Sequence, residues 1–111
     1  MILNKLVRDR IPEIIAAEGK NVCCRVLRGD ELKKALKAKV IEEAQEIANA
    51  ETLEQISEEI ADLLEVLRAL RLAYGIDETD LQNIQMRKLV LKGGFSYGYF
   101  LESVEVRDAN K

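Results

Sequence analysis

A chain of 111 residues is one domain's length, sufficient for a single core but short of a deep cavity built by one copy. Its 48% hydrophobic and 33% charged residues, with one Pro and no Trp, fit a helix-rich fold packed by Leu, Ile, Val and Ala. A net charge of −3 gives no general attraction to nucleic acid or an anionic membrane, and the absence of His excludes Ser-His and Cys-His nucleophiles, His-ligated zinc and Glu-x-x-His di-iron bundles.

The opening MILNKLVRDR lacks the apolar core of a signal peptide, and no window approaches the roughly 18 apolar residues that span a bilayer. A first helix is expected over Arg8 to Glu18, with Pro12 in its first turn and Gly19 ending it. Asn21 to Leu27 is β-branched and Cys-rich and reads as a short strand. Its adjacent Cys23 and Cys24 are poorly placed to join each other, which fits a reducing cytoplasm.

Asp30 is placed to cap a second helix over Glu31 to Asn49. Thr52 and Gln55 form a capping box for a third, which runs to Tyr74 before Gly75. The connection between the two is so short that they must form an antiparallel hairpin. Asp77 or Thr79 caps a fourth helix that ends near Lys92, before Gly93 and Gly94. The tail FSYGYFLESVEV alternates, and could pair with Val22 to Leu27 as a two-stranded ribbon. The expected fold is therefore a single all-α domain over residues 1–111, an antiparallel bundle of four helices with this small ribbon.

A helical wheel at about 100° per residue puts Leu32, Leu36, Val40, Ala44 and Ile47 on one stripe of the second helix. Glu43 falls inside that stripe and Glu46 on its margin. On the third helix Ile56, Ile60, Leu63, Leu64, Leu67, Leu70 and Tyr74 define the stripe, with Glu59 inside it and Asp62 at its edge. The same device thus occurs twice.

A buried carboxylate must be protonated, paired or bound to a cation. The neighbours on these stripes are aliphatic, and Lys33 and Lys37 lie more than a turn from Glu43. A divalent ion resolves the conflict, and oxygen-only ligands select Mg²⁺ or Mn²⁺ over zinc. Spacing of i, i+3 aims both acids of each pair the same way, so a hairpin can bring the pairs together. Glu42, Glu54, Glu58 and Glu65 fall on outer faces, where solvated glutamates are common.

Glu43-Ala-Gln-Glu46, then twelve residues, then Glu59-Ile-Ala-Asp62 resembles the signature of the MazG-like all-α nucleoside triphosphate pyrophosphohydrolases. The opening NKLVRDRIPEII and the KGGF segment at 92–95 resemble a house-cleaning, phosphoribosyl-ATP pyrophosphohydrolase-like subgroup. The resemblance implies Mg²⁺-dependent conversion of a nucleoside triphosphate to a monophosphate and pyrophosphate, with Mn²⁺ as a substitute. It also implies a bundle completed as a homodimer or homotetramer. Glu43, Glu46, Glu59 and Asp62 match its metal ligands position by position. Glu42, preceding the first acid, is expected to assist by positioning water, and Glu46 to accept a proton from it.

Basic residues are expected to meet the phosphates: Lys5 and Arg8 in the opening segment, Lys88 and Lys92 near the end of the fourth helix. Phe95 is placed to stack on a base. Two rival readings are phosphoribosyl-ATP pyrophosphohydrolase of histidine biosynthesis and a non-catalytic, metal-binding helical module for oligomerisation. Neither a nucleic acid nor a membrane is expected as a partner.

Overall fold

The computed structural model describes residues 3–108, and all regular structure among them is helical. There are four helices: α1 (Ile11–Ala17), α2 (Gly29–Asn49), α3 (Leu53–Ala73) and α4 (Glu78–Lys92). The chain divides into two compact units, Met1–Glu78 and Thr79–Lys111. None of the helices is long and apolar enough to cross a membrane.

Helix α1 is shorter than expected. Arg8 to Arg10 form a turn instead, closed by the Ile11 N–H donating to the Arg8 carbonyl at 3.0 Å. Pro12 then occupies the first helical turn, where its missing N–H costs nothing. Gly19 ends the element at φ 84°, a left-handed conformation in which a side chain would be strained.

Helix α2 begins two residues before its expected start. Arg28 occupies the N-cap with no side-chain hydrogen bond, so Asp30 is not the cap. It lies inside the first turn with Glu31, where negative charge complements the helix dipole without bonding a terminal N–H. The expected strand at 21–27 does not form, and neither does one in the tail. Strand propensity acts only through a pairing edge, and the segment before α2 is held by a side chain. Arg25 donates two hydrogen bonds, at 3.1 and 2.8 Å, to the Glu31 carboxylate.

Helix α3 starts with the capping box as expected. Thr52 Oγ1 accepts from the Gln55 N–H at 3.1 Å, and Gln55 Oε1 accepts from the Thr52 N–H at 3.3 Å. Thr52→Ala is expected to lower stability by about 1 kcal/mol, read as a fall in the denaturant midpoint with an unchanged slope.

Helices α2 and α3 pack against each other through the short connection at 50–52. Leu36, 4% exposed, is the buried hydrophobic residue among those described, and Leu32, Val40, Ile47, Ile56, Leu63, Val66 and Leu70 along the two helices are half-buried. At the other end of the hairpin Lys33 and Lys37 place their ammonium groups 4.8 and 5.3 Å from the Tyr74 ring centre, a cation–π clasp. Ala44 is exposed, as are Ile60, Leu64 and Leu67, because the apolar stripes are wider than the face one partner helix covers.

The second unit consists of α4 and the segment after it. Gly93, at φ 80°, ends α4 by donating its N–H to the Leu89 carbonyl at 2.9 Å. Residues 95–108 form no regular structure, although Tyr97 and Tyr99 bring their ring centres to 5.7 Å.

Candidate metal centre

The hairpin's register brings the acids of the two helices together. Glu43 of α2 and Glu59 and Asp62 of α3 each offer a carboxylate oxygen, and these three atoms lie within 4.8 Å of one another. Ligand oxygens around an octahedral Mg²⁺ at about 2.1 Å stand about 3–4 Å apart, so modest side-chain torsions suffice to close the cluster on an ion. The donors are all carboxylate oxygens, the chemistry that hard divalent cations prefer.

Glu43 is buried at 9% exposure, as its place inside the α2 stripe requires. It has a partner that the wheel did not bring forward. Lys39, one turn earlier, sets its Nζ 3.5 Å from Glu43 Oε1 and 3.2 Å from Glu42 Oε1. The Lys39 side chain is itself only 17% exposed. The expectation that Glu43 has only aliphatic neighbours on its stripe, leaving a divalent ion to balance it, is corrected: a lysine on the same helix supplies part of the balancing charge. Its i, i+4 spacing to Glu43 was the legible signal.

Among the described residues Glu59 has no such cationic partner. Partial burial pushes its carboxyl above the usual range, and the negative charges of Asp62, Glu46 and Glu43 push it further. A hydrogen bond with Glu43, which only the protonated form can donate, acts in the same direction. A raised folded-state pKa means that this carboxyl stabilises the metal-free fold below its unfolded-state pKa. The contribution is then lost as pH rises through the folded-state value. In EDTA, the thermal midpoint of the wild type is therefore expected to fall relative to Glu59→Gln on going from mildly acid to neutral pH. A divalent ion should close that gap.

Two clefts of the first unit flank the cluster. One, of about 370 Å³, is lined by Lys5, Arg8, Ile11, Ile15, Lys39, Glu43 and Asp62 among others. The other, of about 200 Å³, is lined by Glu46, Asn49, Ala50, Gln55 and Glu59. Glu46 is exposed and stands with Glu59 at this second cleft, outside the group of three close oxygens. Lys5 and Arg8 reach the first cleft, and Arg8 Nη2 donates to Asp62 Oδ1 at 2.7 Å. Lys88 and Lys92 lie on α4 and Phe95, 99% exposed, follows it, all three in the second unit. Cys23 and Cys24 are exposed free thiols.

The chain is similar to an uncharacterized protein of Mycolicibacterium smegmatis, 50% identical over 48 residues. The match takes in 43% of this chain and 49% of the relative, so the chain spans about half the length of the curated relative it matches. No family model matches the chain, and no solved structure matches it.

Proposed function

We propose that this chain is a Mg²⁺-dependent hydrolase that converts nucleoside triphosphates, non-standard or surplus ones in a house-cleaning role, to monophosphate and pyrophosphate. The observation that carries the reading is the convergence of Glu43, Glu59 and Asp62 beside a cleft that also presents Lys5 and Arg8. A triphosphate is repelled by carboxylates alone. Carboxylates that hold a divalent ion, next to basic side chains, suit it.

In this reading Glu43, Glu59 and Asp62 hold the ion, with Glu46 completing the set. The ion, when bound, supplies charge neutralisation and activation of water. Glu46, exposed at the second cleft beside Glu59, would take the proton from the attacking water. Glu42, held by Lys39 at 3.2 Å, is assigned to orient that water on the family resemblance. Lys5 and Arg8 meet the phosphates from the first cleft. Lys88, Lys92 and Phe95 are assigned to the substrate on the family resemblance.

The working form is a homodimer or homotetramer in the cytoplasm. Exposed Ile60, Leu64 and Leu67 on α3, and Leu81, Leu89 and Leu91 on α4, support it as apolar surface that a second copy would cover. Pairing of segment 21–27 with the tail as a β-ribbon belongs to the same proposed assembly.

The test is pyrophosphate release from a panel of nucleoside triphosphates, deoxynucleotides and phosphoribosyl-ATP with Mg²⁺ or Mn²⁺. Turnover that requires the metal and releases pyrophosphate supports the reading. No turnover of any nucleotide would leave a metal-binding oligomerisation module as the better description. Preference for phosphoribosyl-ATP would move the substrate to histidine biosynthesis.

A further inference from the structure

Two of the three clustered carboxylates already hold a cation of the protein's own. Arg8 Nη2 lies 2.7 Å from Asp62 Oδ1, and Lys39 Nζ lies 3.5 Å from Glu43 Oε1. The two bases differ in how they are tied. Lys39 is mostly covered and shared between Glu42 and Glu43, so it keeps one carboxylate if it loses the other. Among the described residues Arg8 pairs with Asp62 alone, its side chain is 58% exposed, and its backbone is fixed by the turn into α1.

A metal ion draws on the same Asp62 carboxylate that the guanidinium now holds, and two cations on one carboxylate repel each other. We propose that Arg8 is an exchangeable counter-ion. It holds Asp62 in the metal-free chain and leaves when a divalent ion takes Glu43, Glu59 and Asp62. It then stands in the first cleft with Lys5, free to receive a phosphate-bearing anion. The cleft thus becomes an anion site only once the metal is in place, and the order of binding is cation before phosphate. The inference rests on the metal-binding part of the proposed function and deepens it by assigning that order.

The exchange is tested with Mn²⁺ alone, by the paramagnetic resonance of the free ion, on the full chain as wild type, Arg8→Gln and Arg8→Lys. Removing a competitor tightens binding, so Arg8→Gln should bind Mn²⁺ about two- to fivefold more tightly, the scale of an exposed ion pair. Its thermal midpoint should lie below wild type in EDTA and match it in saturating Mn²⁺. Arg8→Lys, which keeps the charge, should fall between the two in affinity and serves if the Gln variant folds poorly. Labelling of wild-type Arg8 by phenylglyoxal, followed by peptide mass, should rise with Mg²⁺ and be suppressed by inorganic phosphate only when Mg²⁺ is present. Arg8→Gln binding Mn²⁺ no more tightly than a wild type that does bind it, or Arg8 labelling indifferent to Mg²⁺, overturns the exchange and leaves the metal site standing. A wild type that binds no Mn²⁺ overturns both.

Discussion

Glu43→Gln is expected to lower pyrophosphate release by about 100-fold or more while leaving the helices in place. A metal ion contributes several kcal/mol of charge stabilisation in the transition state, and each 1.36 kcal/mol is about tenfold in rate. Glutamine keeps the shape of the side chain but removes the charge, so the proposed ion would lose its most buried carboxylate ligand. The fold should tolerate the change, because Lys39 retains Glu42 at 3.2 Å and a buried charge is removed and not created. Circular dichroism and the thermal midpoint in EDTA separate this outcome from simple unfolding. A Glu43→Gln enzyme that keeps its full rate would remove Glu43 from the metal site.

Leu36→Ala has the largest expected effect on stability, about 2–3 kcal/mol from lost burial and the cavity left behind. Leu36 is the most enclosed apolar side chain described, at 4% exposure, and it stands where α2 faces α3. Leu32 and Val40, one turn away on either side, are only half-buried and can relax inward, which puts the figure in the lower half of the range for buried leucines. The denaturant midpoint reads the change directly. Because the carboxylates depend on the same helix pair, the variant should also weaken Mn²⁺ binding, whereas Thr52→Ala should leave it near wild type.

The helices were legible because their signals are local. The capping box at Thr52 and Gln55, the glycine stop at Gly75 and the proline in the first turn of α1 each act within a turn of chain. The convergence of Glu43, Glu59 and Asp62 was legible for a related reason: two helical periodicities and one short connection determine it. Segment 21–27 forms no strand in the single chain because β-branched composition describes how a residue fits a sheet, and does not by itself supply the neighbouring strand. Asp30 misled because a good capping residue does not by itself determine where the helix begins. Lys39 escaped because the wheel sorts residues by face, and a long aliphatic stem lets an ammonium group reach around it to a carboxylate one turn on. The Arg8–Asp62 pair joins residues 54 apart in sequence, a separation that no local pattern reports.

The short connection at 50–52 has a kinetic consequence. All three clustered carboxylates come from one hairpin, within twenty residues of chain, so loop closure adds little to the entropy of assembling them. Contacts this local form early in folding. The hairpin can therefore present its acids before any second copy arrives, and a divalent ion in the refolding buffer would act as a clasp on it. Refolding should then accelerate with Mn²⁺ in the first, concentration-independent phase, while any association between copies follows as a slower phase that depends on protein concentration.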